Sequence, residues 1–551
     1  MASLSLAINY AISGYSVWSY HLFNLIIHIL AGLTLYGIIR RTLLSKQLKD
    51  RFGSHAVIIS WTVSAIWLVH PIQTESITYI IQRTESLMGL FYLLTLYSAI
   101  GAMESSGKSL WPVVSVVCCG LGMGTKEVMV TAPILVLLYD RAFFVGSFAS
   151  ALRHRRGLYA GLAASWIILI AVMSTGPRSS SAGFGLDKIT PWQYAGTQFG
   201  VIVHYLRLSF WPSGLCLDYS WPVTEKWPQI IPPMLFIVFL LAVTFWGLFR
   251  NYPWSYPAAW LFFILFPTSS FVPITDLAFE HRMYLPLAGL VTLLVMSGYM
   301  AAEYSAKQFR IYWAYYIAFM PAVGIIIALT CVTVNRNKDY HSALSIWENV
   351  LKVSPDNARA HNNMGIALRL QGRLDEAMSH YRRSIQLAPD YADVHNNIGA
   401  LLQFQGRLDE AVDYYNKALH IDPNYSKACN NLGIIMAMQG RFDEAVSYFR
   451  KAISLNRDYA EAYSNLGNAL TSQGKFGEAI NYYQQSLQIK PNQVIPLTRL
   501  AAAYAADGQF EQAVETAQKA LELASALKQN ELINRIREQL ELYRQKKPSS
   551  L

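Results

Sequence analysis

Up to residue 334 the chain alternates long apolar runs with short polar breaks. The runs are 20–39, 56–70, 84–103, 111–124, 128–139, 157–175, 230–249, 255–272, 285–301 and 312–334. A helix that crosses the hydrocarbon core of a bilayer needs about 20 apolar residues. The pattern therefore predicts a polytopic bundle of about ten spans. Only Thr125, Lys126 and Glu127 separate runs 111–124 and 128–139. Those two are expected to meet near the outer face, or to form a buried hairpin. The basic loops all fall on one side only if residues 176–229 stay outside, so segment 196–211 is expected to be a re-entrant or interfacial helix rather than a full span.

Beyond residue 335 the pattern changes to an amphipathic repeat with a period of 34 residues. Gly365, Gly399, Gly433 and Gly467 recur at that spacing, followed by Gly372, Gly406, Gly440, Gly474 and Gly508. Ala377, Ala411, Ala445, Ala479 and Ala513 come next, then Tyr381, Tyr415, Phe449 and Tyr483, and Pro389, Pro423 and Pro491 close repeats. This is the tetratricopeptide (TPR) pattern. Glycine permits close helix packing, alanine fills the crossing point and proline ends the second helix. The whole chain is thus expected to be all-α: a transmembrane bundle over 1–334, a junction with a partial repeat helix over 335–357, five repeats over 358–527, and a capping helix and tail over 528–551. Ala343 and Trp347 place the junction helix in register with the second helix of a repeat, and 529–545 is polar enough to cap the array.

An asparagine column recurs on the first helix of each repeat: Asn363, Asn397, Asn431 and Asn465, flanked by Asn362, Asn396 and Asn430, with Ser464 last. An amide both donates and accepts, so such a ladder suits the main chain of an extended peptide of any sequence. The repeats resemble O-GlcNAc-transferase-like TPR arrays, where a ladder of this kind lines the concave face. A solvated, idle column is the plain alternative.

The net charge is +10, but much of it flanks apolar runs: Arg40, Arg41, Lys46, Lys49 and Arg51, then Arg141, Arg153, Arg155 and Arg156, then Arg250, Lys307 and Arg310. That is a positive-inside distribution, not a basic stripe, and it argues against nucleic acid as a partner. With these segments cytoplasmic, the outer stretches are 1–19, 70–83, 125–127, 176–229, 273–284 and 335 onward. The five cysteines form no CxxC pair, so neither a disulfide framework nor a zinc site is expected, and no metal ligand is assigned.

The outer stretches hold the unusual polar residues. Ionisable groups at membrane depth are costly and are candidate functional residues by default. Here they are Glu75, Arg83, Glu85, Lys126, Glu127, Asp218, Glu280, Arg282 and Tyr284. Each has a structural alternative: Lys126 pairing with Glu127, Arg83 pairing with Glu85, His70 capping a turn, Glu280 and Arg282 anchoring a loop. Acids and bases converging on one outer face suit a lipid-phosphate donor. Cations would hold the phosphate, and a carboxylate would take the proton of an acceptor hydroxyl.

The segments at 4–30, 70–94 (HPIQTESITYIIQRTESLMGLFYLL), 124–140 (GTKEVMVTAPILVLLYD), 205–222 (YLRLSFWPSGLCLDYSWP) and 279–290 (FEHRMYLPLAGL), followed by the repeats, resemble the transmembrane-and-TPR protein O-mannosyltransferases and their bacterial relatives. The resemblance covers essentially the whole chain. It implies a GT-C-like bundle that takes a sugar, mannose as a rule, from a polyprenyl- or dolichyl-phosphate carrier. The sugar would pass to a protein hydroxyl on the outer or luminal side. Arg282, Lys126 and Arg83 would then contact the lipid phosphate, with Glu75, Glu127 and Glu280 orienting them or the acceptor. Glu85 stands where the family often has Asp. Family members carry a further helix and an acidic outer loop ahead of the matched region, so no residue here is assigned the catalytic carboxylate, and the expected start lies upstream of Met1.

The function expected is thus a membrane glycosyltransferase whose donor is a lipid-linked sugar and whose TPR domain captures an extended acceptor polypeptide. Alternatives are a non-catalytic TPR scaffold of the envelope and an oligosaccharide ligase or polymerase; a transporter is disfavoured because no inverted repeat is apparent. The expected location is a bacterial inner membrane with a periplasmic TPR domain, the alternative being the endoplasmic reticulum with the TPR domain luminal.

Overall fold

A computed structural model describes residues 1–105, 109–175, 189–309 and 314–548. Parts of four sequence expectations lie outside these residues: the start of the outer stretch 176–229, the start of the run 312–334, Arg310, and the end of the tail 528–551. Among the described residues every regular element is helical, and the contacts divide the chain into two units, Met1–Pro355 and Asp356–Leu551.

Among the described residues of the first unit eight helices are long and apolar enough to cross a membrane: Val17–Leu43, Lys49–Val69, Ile80–Glu104, Glu127–Val145, Arg156–Ser174, Trp227–Phe249, Pro286–Gln308 and Met320–Tyr340. Three shorter apolar helices, Ala2–Ser13, Trp111–Met123 and Ser255–Leu265, pack against them. With no water in the hydrocarbon core, helices are the only open-chain structures that satisfy their own backbone. Leu235, Phe236, Phe239 and Trp246 stand exposed on Trp227–Phe249, a face that lipid solvates. The protein is a multi-pass integral membrane protein.

Ion pairs mark the basic end of this bundle. Arg51 meets Glu303 at 2.9 Å, and Arg155 meets the buried Asp140 at 2.9 Å with the Tyr159 hydroxyl donating to the same carboxylate at 2.7 Å. The stretches 70–83, 125–127, 215–220, 273–284 and 335–340 gather at the opposite end. Helix Pro191–Phe210 lies across that second end. The Tyr194 hydroxyl near its start donates to the Thr268 carbonyl at 2.6 Å, and His70 bonds the Ser209 carbonyl near its finish at 3.1 Å. Its buried Tyr194, Thr197, Gln198, Val201, Ile202, Tyr205 and Leu208 form one stripe of helical period. Residues 1–19 were expected only as an outer stretch; they contain a helix, Ala2–Ser13.

The second unit is a series of helix pairs: Ala358–Leu370 with Leu374–Leu387, Ala392–Phe404 with Leu408–Ile421, Ser426–Met438 with Phe442–Leu455, Ala460–Ser472 with Phe476–Ile489, and Val494–Ala506 with Phe510–Ala526, then Asn530–Arg544. Each pair turns on a glycine of the Gly372 to Gly508 series, whose φ lies between 74° and 79°. That left-handed backbone favours glycine. Ala377, Ala411, Ala445, Ala479 and Ala513 are fully buried at the crossings.

Candidate functional site

The site grows from a broken helix. His70 precedes Pro71, which cannot continue the span above it. The His70 ring accepts from the Ile72 N–H at 3.2 Å and caps the following short turns. Those turns bury Glu75 completely. The Glu75 carboxylate faces His281, whose Nδ1 lies 2.7 Å from Oε1 and whose backbone N–H donates to Oε2 at 3.1 Å. Burial pushes the Glu75 carboxyl up to about 7, against the pull of Arg336, Lys126 and Arg282, and burial lowers His281 to about 3.

Its neighbour Glu280 is also fully buried. One oxygen accepts from the Cys216 N–H and the Tyr219 hydroxyl, both at 2.7 Å, and the other from Arg336 at 2.8 Å. Burial again comes first in raising it to about 7; Arg336 opposes that shift and the Glu75 charge adds to it. Arg336 comes from the end of the last apolar helix. It also donates to the Leu215 carbonyl at 2.6 Å and to the Tyr340 hydroxyl at 3.3 Å.

Arg282 points away from this pair. It donates to the carbonyls of Thr268 and Leu277 at 3.1 Å and of Asp276 at 2.7 Å, and to the Tyr194 hydroxyl at 3.4 Å. Four protein acceptors thus hold a guanidinium that the sequence reading placed on a lipid phosphate; here it knits the loop before Pro286. Arg83 is likewise enclosed. It donates to Asn24 at 2.6 Å, to Asn9 at 2.8 Å and to the carbonyls of Tyr20 and Ser5 at 3.1 and 3.3 Å. It does not pair with Glu85. The partner of Glu85 is Lys126, an ion pair across two helices rather than the expected Lys126–Glu127 contact. Extended backbone at Lys126, between Trp111–Met123 and Glu127–Thr131, aims this lysine at Glu85. Lys126 keeps 18% of its side chain exposed, Glu127 is exposed beside it, and Glu85 is only 4% exposed.

Tyr284 is a pillar. Its hydroxyl lies 2.9 Å from His28 Nδ1, and its carbonyl accepts from Trp67 at 2.8 Å and Gln73 at 3.2 Å. Asp218 is buried and accepts from the Ser220 N–H at 2.9 Å, folding the turn that carries Tyr219 to Glu280. The sequence reading therefore named residues that the fold brings to one end. It gave no role to Arg336, His281, Cys216, Tyr219, Asn9 or Asn24, although His281 and Tyr219 stand among the unusual polar residues of the outer stretches. A charge at the tail of an apolar run was the one available signal for Arg336.

An apolar cavity of about 370 Å³ opens beside this end, between Thr62, Ile66, Val291, Leu294, Ile325 and Leu329, with His70 and Ser209 at one extremity. Among the described residues no group of three or more His, Cys, Asp or Glu side chains is placed to hold a metal ion.

In the repeat unit the asparagines bond one another across repeats. Asn397 donates to Asn362 at 2.8 Å, Asn431 to Asn396 at 2.9 Å, and Asn465 to Asn430 at 3.0 Å.

Tetratricopeptide-repeat family models match residues 336–392, 390–458, 430–492 and 470–526. The chain is 25% identical over 399 residues to the protein O-mannosyl-transferase F38B6.6 of Caenorhabditis elegans, covering 68% of this chain and 51% of that protein. It is 23% identical over 417 residues to the protein O-mannosyl-transferase TMTC3 of Mus musculus, covering 69% of this chain and 43% of that protein. The chain thus spans about half the length of these relatives. Among solved structures, the type IV pilus biogenesis factor PilW is 25% identical with a TM-score of 0.32, covering 37% of this chain and 94% of that one. The chain is accordingly a multi-pass membrane protein with tetratricopeptide repeats, similar over about two thirds of its length to the TMTC-type protein O-mannosyltransferases.

Proposed function

We propose that this chain supplies the membrane and acceptor-binding parts of a protein glycosyltransferase. It takes a sugar, mannose by analogy with the relatives, from a polyprenyl- or dolichyl-phosphate carrier and passes it to a protein hydroxyl. The observation that carries the reading is Lys126. It pairs with Glu85 at the rim of the cluster, with Glu127 beside it and part of its own side chain open to solvent. An ammonium carries three donors, so Lys126 can take a phosphate oxygen while keeping Glu85.

The reaction is a displacement at the anomeric carbon. The acceptor hydroxyl oxygen forms the new bond to C1, the C1–O bond to phosphate breaks, and the phosphate leaves with the electron pair. The hydroxyl proton goes to a base that is assigned to none of the carboxylates here. Lys126 stabilises the charge that grows on the leaving phosphate. The buried Glu75–His281 hydrogen bonds and the Glu280–Arg336 ion pair hold the loops around it, since satisfied buried polar groups fix one geometry. The apolar cavity ending at His70 has room for part of a prenyl chain. The asparagine ladder retains amide capacity for an extended acceptor, because each interrepeat contact uses one donor and one acceptor.

The test is transfer by the purified protein in nanodiscs, with radiolabelled polyprenyl-phosphate-mannose and an unfolded secreted polypeptide. Lys126→Ala should lower label transfer by about two orders of magnitude, the scale of losing one transition-state donor, with the fold intact; Lys126→Arg should restore part of it. Full transfer by Lys126→Ala would remove the proposed role. The buried ion pair of Glu280 and Arg336 favours the scaffold reading, in which the polar end only holds the fold. No transfer from any lipid-linked sugar, with peptide binding retained, would decide for that reading.

A further inference from the structure

A second cavity lies at the opposite, basic end of the bundle. It holds about 360 Å³ and is walled by Leu35, Leu93, Tyr256, Trp260 and Leu293, with Gln47 and Arg51 at its mouth. The glycosyl-transfer reading does not use it, and the polar cluster lies at the other end. An apolar cavity stays dry, and one of about 150 Å³ already takes up benzene. This one is more than twice that size and sits where a bilayer supplies hydrocarbon instead of water.

The mouth tells which hydrocarbon. Gln47 and Arg51 are exposed, in a segment 40–55 with five Lys or Arg residues against one acid, Asp50. Arg51 lies 2.9 Å from Glu303, and that carboxylate is shared with Lys307 at 2.7 Å. One acid between two cations leaves the mouth positive. Lys46 and Lys49 are exposed beside it. Clustered basic residues at the edge of a span attract anionic headgroups.

We infer that this cavity binds one anionic glycerophospholipid from the leaflet on the basic side, an acyl chain among Leu35, Leu93 and Leu293 and the phosphate at Arg51 and its basic neighbours. A chain seated there would brace helices Val17–Leu43, Arg83–Glu104, Ser255–Leu265 and Pro286–Phe309 against one another.

Native mass spectrometry of the full protein, stripped in detergent and returned to phosphatidylglycerol or phosphatidylcholine, tests it. The expected result is one retained phosphatidylglycerol at a lipid concentration where phosphatidylcholine is not retained. Leu293→Trp, which fills the cavity, should abolish retention of phosphatidylglycerol. Arg51→Gln should cut the preference for phosphatidylglycerol several-fold and leave the folded mass distribution unchanged. Circular dichroism of each variant separates loss of the site from loss of the fold; should Leu293→Trp unfold, Leu93→Phe takes its place. Equal retention by Leu293→Trp, or equal retention of the two lipids by the native protein, overturns the inference.

Discussion

Arg336 and Glu280 meet at 2.8 Å, both buried, although one ends a membrane helix and the other lies in a loop 56 residues earlier. The pair fastens the last apolar helix to the loop that carries His281 and Arg282. Arg336→Ala would leave Glu280 buried with no cation, which costs about 3–5 kcal/mol. Glu280→Gln combined with Arg336→Ala should recover much of that loss. Chemical denaturation of the four proteins in detergent measures the coupling; additive losses would mean the pair does not act as one.

The same end should show a pH optimum. Glu75 and Glu280 sit near 7 in the folded protein against an ordinary 4.5, so the fold binds extra protons and loses stability as pH rises from 4.5 through 7. His281 near 3 and His70 near 4, against 6.5, act the other way: their contribution is present above 6.5 and is lost as pH falls through those values. The opposing slopes overlap between 4.5 and 6.5. Thermal unfolding should therefore be flat there, and should fall from about 6.5 upward and from about 4.5 downward. Glu75→Gln should weaken the alkaline fall, and a native profile without that fall would contradict the burial argument.

Gly433 faces Phe449 so closely that a Cβ would lie 2.7 Å from the ring. Gly433→Ala should cost about 1–3 kcal/mol through overpacking. Gly440→Ala, in open space but at φ 74°, should cost about 1 kcal/mol through backbone strain alone. Denaturation of the full protein compares them, and Phe449→Leu should rescue only the first.

Asn362, Asn396 and Asn430 accept from the next repeat and line up along the array. Replacing all three by Ala should weaken binding of an extended peptide more than tenfold if the ladder holds its main chain. A buried neutral hydrogen bond is worth about 1 kcal/mol, so a stability loss of a few kcal/mol is also expected. Isothermal titration with a flexible secreted-protein segment gives the first quantity. Unchanged affinity alongside that stability loss would mark the ladder as repeat glue only.

Three things were legible in the chain itself. Apolar runs long enough for a bilayer need no partner to be recognised, because hydrocarbon solvent constrains each span separately. The repeat was legible because a period of 34 residues fixes which glycine turns and which alanine is crossed, and each contact is made with a near neighbour. The polar residues Glu75, Arg83, Glu85, Lys126, Glu280 and Arg282 were also visible, since charge at membrane depth is costly. Their partners were not. Glu85 takes Lys126 and not Arg83, Arg83 takes two asparagines, Glu280 takes Arg336, and Arg282 takes main-chain carbonyls. Helix Pro191–Phe210 crosses the end of the bundle because Tyr194 and Ser209 both find acceptors or donors there. Such choices depend on which spans lie side by side, and side-by-side order is set by packing between segments distant in the chain, which no local pattern encodes.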